Sequence, residues 1–182
     1  PPKPHLDWPG RGPDVVLRPL ARRLAAAGTP VQTQHRVTGV EPCGQGYRVT
    51  AITPDGSRTI ETAAVLFADG GFQSSSALLH ASVSPAPELV LQRNAGTGIG
   101  TSVGLAASLG AELSELQSFY GHLVARRALA SADLWPYPMI DGLGKAGILV
   151  GRDGQRFVDE GRTGVYMANA VARRPDPAES CV

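Results

Sequence analysis

Residues 64–75 read AVLFADGGFQSS and join a short apolar run to a pair of glycines. The run at 64–68 is too short for a helix, so it predicts a strand covered on both faces, as in an α/β sheet. Gly70 and Gly71 allow a sharp turn and a close approach at the edge where open α/β sheets bind ligands. The same glycines would serve equally well in a tight turn without a ligand, so both readings stay open.

The composition excludes several classes of function. The chain has 182 residues, with 17 basic and 16 acidic side chains scattered along it and a formal net charge of +1. This pattern gives no electrostatic footprint for nucleic acid. Cys43 and Cys181 are the two cysteines, and no Cys/His spacing suits zinc, so we predict no metal site and a reducing, cytoplasmic setting. No apolar run approaches the roughly 20 residues of a membrane span.

The first half of the chain shows clear helix and hairpin signals. Pro19 places the regular part of the first helix from Arg18 onward, and Gly28 is a natural stop. The pattern then predicts, in order, a strand at Val31–His35, a hairpin of 48–53 with 58–62 around Pro54-Asp55-Gly56, the buried strand at 64–68, a short helix at 76–80, and a small-residue helix at 100–109 closed by Gly110.

Aromatic residues gather beyond residue 112, which indicates a second lobe. Residues 147–160, GILVGRDGQRFVDE, predict a hairpin around the Asp153-Gly154 turn. A helix at 166–173, ending before Pro175, is expected to follow.

These motifs, taken in order, resemble the fumarate reductase and succinate dehydrogenase flavoprotein family. The resemblance runs from Arg18 to Arg173 and rests on VLFADGGF, the TGIG turn into a helix ending LGAEL, a histidine in an aromatic stretch, and GILVGRDGQRFVDE. The nearest likeness is to soluble members of the tricarballylate dehydrogenase and ketosteroid dehydrogenase type. The resemblance implies an α/β to α+β fold with FAD as cofactor.

The resemblance also implies the domain organisation. Residues 1–111 would be part of a Rossmann-like FAD-binding domain with an inserted β-hairpin, lacking the family's N-terminal glycine fingerprint. Residues 112–182 would begin a capping domain that contacts a small-molecule substrate. We therefore expect a middle piece of a longer polypeptide, inactive and poor at retaining FAD by itself, whose partners are the rest of the parent chain. Exposed sheet edges would allow oligomers.

The motifs that match the family carry the expected cofactor contacts: Val37, Ala68, Gly70, Gly71, Thr97, Gly98 and Gly100. Two positions depart from the family pattern. Asp69 replaces the usual threonine, and its carboxylate would be repelled by the phosphates of FAD unless it points elsewhere. Ile99 replaces an aspartate, which removes a polar contact.

The family's chemistry is hydride transfer between a substrate carbon and flavin N5, coupled to proton transfer at the adjacent carbon. His122 matches the family's substrate-binding histidine, and Tyr120, Arg126 and Tyr166 are secondary candidates. In fumarate reductases an arginine four residues after the RFxxE glutamate is the general acid. Counted from Glu160, that position is Gly164 here, whereas Arg162 lies two residues after Glu160. The catalytic candidates are thus His122, Glu160, Arg162 and Tyr120.

Interpretations without a catalytic role also stay open for the same residues. His122 could be a structural histidine, and Glu160 could cap the next turn or pair with Arg156. Asp69, Ile99 and Gly164 also allow a different class of protein, a non-catalytic α/β module or a flavoprotein relative that has lost its activity.

Overall fold

The structure is a computed structural model that describes residues 13–92, 95–130 and 139–180. Its backbone divides into two compact units. The first takes the described residues up to Ala68 together with Gly104–Ala111, and the second takes Asp69–Val103 and the described residues from Glu112 onward. Cys181 lies outside the described residues. Among the residues described, no helix is long and apolar enough to cross a bilayer, and no cluster of side chains could hold a metal ion.

Helix α1 spans Pro13–Ala26 and begins five residues before the predicted start at Arg18. Proline suits the first position of a helix, because its missing N–H would have no partner there. Pro19 lies inside the helix, so the prediction that it marks the start was wrong. The predicted stop is confirmed. Gly28 has φ +73°, and the Thr29 N–H donates to the Leu24 carbonyl at 2.9 Å, which completes a Schellman motif.

Three antiparallel strands form a meander in sequence order: β1 (Arg36–Cys43), β2 (Gly46–Thr53) and β3 (Gly56–Thr62). The predicted hairpin is confirmed, with Thr53 opposite Gly56. The predicted strand at Val31–His35 is wrong, because Gln34 takes a left-handed conformation with φ +58° in a turn, and β1 starts only after it.

The apolar run at 64–68 is not a buried strand. It has no strand assignment, and Leu66 is 90% exposed. A strand covered on both faces needs paired neighbours and flanking layers. In the part of the chain that the structure describes, the only sheet is the β1–β3 meander, and this run does not join it.

The second unit is mainly helical. The helices that follow the meander along the chain are α2 (Ser76–Ser82), α3 (Thr101–Ser108), α4 (Asp141–Ala146) and α5 (Gly164–Ala172). The short 3-10 turns are Pro87–Leu89, Arg126–Ala130 and Pro177–Glu179. The predicted helices near 76, 100 and 166 are confirmed. The predicted hairpin at 147–160 is reduced to one bridge, between Val150 and Arg156, around a turn in which Gly154 has φ +71°.

The core of the second unit forms around α5. Leu149 and Met167 are fully buried, and Leu123, Val158 and Ala168 pack with them. On α5 the buried positions 164, 167, 168 and 172 recur at helical spacing, which turns one face of the helix inward. That inward face supports the candidate site.

Candidate active site

Two segments of the second unit pair beside α4 and bring distant polar residues together. Val124 bridges Met139, and the Ile140 N–H donates to the Leu123 carbonyl at 2.9 Å. The Leu123 N–H in turn donates to Asp141 Oδ1 at 2.8 Å. This exchange of hydrogen bonds places Asp141, at the start of α4, next to His122.

His122 lies between a carboxylate and a phenol. Its Nδ1 is 2.6 Å from Asp141 Oδ2, and its Nε2 is 3.3 Å from the Tyr120 hydroxyl. The side chains of His122 and Asp141 are 22% and 20% exposed, whereas Tyr120 is 84% exposed. The rings of Tyr120 and His122 meet edge to face, with centroids 5.2 Å apart. Tyr120, His122 and Asp141 thus form one connected polar group at the edge of the core.

Helix α5 fixes the backbone that carries this group. Asn169 is buried, accepts from the Phe119 N–H at 3.0 Å and donates to the Phe119 carbonyl at 2.8 Å. It donates also to the Val165 carbonyl at 2.8 Å, which holds its amide in place. Asn169 therefore anchors the chain three residues before His122.

Gly164 makes room for the Asp141 carboxylate. Gly164 is buried in the first turn of α5, and a Cβ added there would overlap the carboxyl group of Asp141. Where the resemblance implies an arginine, this chain thus has a residue without a side chain, and the adjoining space holds a carboxylate.

A cavity of about 700 Å³ in the second unit opens beside His122 and Tyr120. Most of its lining is apolar and includes Leu79, Leu89, Phe119, Leu129 and Val171. Arg126 also lines it, but its guanidinium donates to Glu179 Oε1 at 2.9 Å. The cavity thus combines a large apolar wall with the polar pair of Tyr120 and His122.

Glu160 lies away from this cavity, inside the protein. Its side chain is 4% exposed, accepts from the Leu149 N–H at 2.6 Å and pairs with Arg156. The Leu149 N–H, with help from Arg156, holds the pKa of Glu160 below its ordinary value against the opposing effect of burial. The pairing with Arg156 that the sequence allowed is confirmed.

Arg162 and Tyr166 contact each other. The Arg162 guanidinium lies 3.9 Å from the centroid of the Tyr166 ring, in a cation–π contact. Among the residues that the structure describes, the cavity lining includes neither of them.

The candidate cofactor residues fall in both compact units. Val37, in β1, and Ala68 belong to the first unit. In the second unit the two glycine segments pack together: the Ser74 N–H donates to the Gly98 carbonyl at 2.7 Å, and the Gln73 carboxamide lies in the space that side chains at Gly71 and Gly98 would fill. Gly70 and Gly100 have φ of +86° and +79°, which favours glycine. Thr97 lies beside this cluster in sequence.

Asp69 points at the start of α3, where its Oδ2 accepts from the Ser102 N–H at 3.1 Å. A free helix N-terminus attracts phosphate, and here a carboxylate of the chain already takes that position. The start of α3 does not fit the pyrophosphate.

Comparison with known proteins identifies the family to which this chain belongs. The sequence matches the family model described as FAD binding domain over residues 6–179, so the chain belongs to that family. FAD is the cofactor of this family, as the sequence predicts. No curated protein matches the sequence.

The fold is similar to that of a solved structure, the 3-ketosteroid-Δ4-(5α)-dehydrogenase from Rhodococcus jostii RHA1 in complex with 4-androstene-3,17-dione. The two share 20% sequence identity with a TM-score of 0.60, and the match covers 90% of this chain. The chain corresponds to 31% of the length of that dehydrogenase. Together with the family match, the likeness shows an FAD-binding domain fold in which helices accompany an antiparallel sheet.

The sequence alone missed two residues of the site. Asp141 follows His122 by 19 positions and sits at the start of a six-residue helix that the pattern did not predict. Asn169 lies within the predicted last helix, and a polar residue on its apolar face is the signal that could have found it.

Proposed function

We propose that the protein containing this chain is an FAD-dependent oxidoreductase that forms or reduces a C=C bond next to a carbonyl group. The observation that carries the proposal is the His122–Asp141 pair at the mouth of an apolar cavity, in a chain of the FAD binding domain family. In this proposal residues 112–182 contribute the substrate side, with Leu79 and Leu89 in the cavity wall, and other residues of 1–111 contribute the cofactor side.

The cavity favours a keto substrate with a large apolar body over a small dicarboxylate. Its volume of about 700 Å³ and its leucine and valine walls suit a bulky apolar ligand. A dicarboxylate needs unpaired cations, and Arg126, which lines the cavity, is already paired with Glu179. The related dehydrogenase was solved with 4-androstene-3,17-dione, a diketone of this kind.

When bound, FAD would supply the two-electron acceptor for a hydride from one substrate carbon. The adjacent carbon loses a proton, and the C–C bond between the two carbons becomes C=C. The proton of the adjacent carbon goes to His122 Nε2, the ring nitrogen on the Tyr120 side. The Tyr120 hydroxyl can donate to the substrate carbonyl or relay the proton outward. The reverse reaction returns the same proton from His122 to carbon.

The backbone of Gly70, Gly71, Gly98 and Gly100, with Thr97, would hold uncharged parts of the cofactor. Val37 and Ala68 stay as cofactor contacts that the sequence predicts. We propose a structural role for Glu160 and keep Arg162 as a secondary candidate for proton transfer.

The test is to express the full-length protein and record its visible spectrum before and after dithionite. We expect a flavin spectrum that bleaches, and dye reduction with 4-androstene-3,17-dione or a saturated 3-ketosteroid that falls at least about a hundredfold in His122→Ala. Tricarballylate serves as the carboxylate comparison. A colourless protein that FAD does not reconstitute would refute the proposal. A flavin that bleaches in a protein that turns over none of these compounds would favour a relative that has lost its activity.

A further inference from the structure

We infer that Asp141 is a positioning residue that fixes the tautomer of His122, and that Gly164 provides the space that this carboxylate requires. The inference deepens the proposed function and rests on it for its catalytic meaning. Its structural content, which atom of His122 carries the proton, can be measured without substrate.

The hydrogen bonds of Asp141 leave one arrangement for a neutral His122. A carboxylate only accepts hydrogen bonds. Oδ1 accepts from the Leu123 N–H at 2.8 Å, and Oδ2 lies 2.6 Å from His122 Nδ1. The ring must therefore carry its proton on Nδ1. Nε2 then carries the lone pair of the ring, to which the Tyr120 hydroxyl donates at 3.3 Å.

This tautomer is the one that proton abstraction requires. A neutral imidazole protonated on Nε2 would present an N–H to the cavity and could not act as a base there. The same carboxylate also stabilises the imidazolium that forms when Nε2 takes up a proton. Both effects act through His122, since the carboxylate itself is engaged with the ring and the backbone.

The second condition for this tautomer is that residue 164 is glycine. The Asp141 carboxylate lies against the first turn of α5, where the positive end of the helix dipole favours an anion. A methyl group at residue 164 would overlap that carboxyl group. Asp141 would then have to leave its place beside Nδ1.

The decisive variant is Asp141→Asn, which keeps the size of the side chain and removes one acceptor. The Leu123 N–H requires an acceptor, so the amide oxygen stays on that side. The amide NH₂ group then faces His122 Nδ1, which has to become an acceptor. The proton of the neutral ring is expected to move to Nε2.

The experiment is long-range ¹H–¹⁵N NMR on the full-length protein with ¹⁵N-labelled histidine, at about pH 8, where an ordinary histidine is neutral. A His122→Asn variant identifies the signal. We expect Nδ1–H in the wild type, Nε2–H in Asp141→Asn, and loss of the wild-type pattern in Gly164→Ala. Gly142→Ala is the matched control, because an added Cβ on that neighbouring glycine meets nothing within 4 Å.

His35 is an internal reference, since its Nδ1 lies 2.8 Å from the Thr33 carbonyl and should show Nδ1–H in every variant. An Nε2–H ring in the wild type, or an unchanged ring in Asp141→Asn, would overturn the inference, even if the protein reduces its flavin normally. If Gly164→Ala does not fold, Asp141→Asn decides alone. Failure of the proposed function appears instead as a missing flavin spectrum, which leaves the NMR result intact. With an active substrate, Asp141→Asn should lower kcat about a hundredfold.

Discussion

Replacing Asn169 by alanine should destabilise the second unit and release the backbone that leads to His122. The substitution removes the acceptor of the Phe119 N–H and the donor to the Phe119 carbonyl. Each unsatisfied buried backbone group costs about 1–3 kcal/mol. Because Phe119 is only half-buried, water can reach part of it, and we expect a total loss of about 2–4 kcal/mol. The Val165 carbonyl belongs to α5 and keeps its helical partner.

The assay is urea unfolding of the full-length protein, with hydrogen exchange of the Phe119 amide as the local probe. Ser118→Ala is the matched control, because Ser118 is exposed and its hydroxyl has only a long contact of 3.4 Å with Arg173. That change should cost less than about 0.5 kcal/mol. A loss below about 1 kcal/mol in Asn169→Ala, or unchanged exchange at Phe119, would show that Asn169 does not anchor this segment.

Three further predictions concern pH, capping and turns. The pKa of Glu160 is lower in the folded state than in the unfolded state. The contribution of Glu160 to stability is therefore complete above the unfolded pKa of about 4.3 and is lost as the pH falls through the folded pKa. Unfolding measured along an acid titration should show this loss of stability in the wild type and a shallower loss in Glu160→Gln. Asp69→Ala should cost about 0.5–2 kcal/mol, because the Ser102 N–H loses its acceptor, and Asp69→Asn should restore most of it in thermal unfolding. Gly28→Ala should lower the free energy of unfolding by about 1 kcal/mol, because φ is +73° there, and an equal or higher stability would contradict the assigned helix stop.

The fold could be predicted where short-range chemistry decides the structure. Pro54 and Asp55 form a two-residue connection and specify their hairpin locally, and Gly28 specifies the end of α1. The prediction failed at 64–68, because an apolar run becomes a buried strand only if distant segments supply neighbours on both sides. It also failed at Pro19, where the rest of the helix tolerates one missing N–H.

The site could be predicted only in part, because a sequence gives residue types and not their partners. His122 and Tyr120 lie two positions apart and were identified together. Asp141 reaches them through pairing of 122–124 with 139–141, which no local pattern indicates. Gly164 appeared in the sequence as a missing arginine, and its contact with Asp141 emerged only from the packing of α4 beside α5.

The close approach of Gly164 to Asp141 links two positions in evolution. A lineage that acquires any side chain at residue 164 must first give up the carboxylate at residue 141 or move α5, and one that keeps Asp141 is restricted to glycine. Related sequences should therefore divide into two groups, with glycine at 164 wherever aspartate stands at 141. Exchange between the groups would require both changes together, since either intermediate has lost the support of His122 or crowds the start of α5.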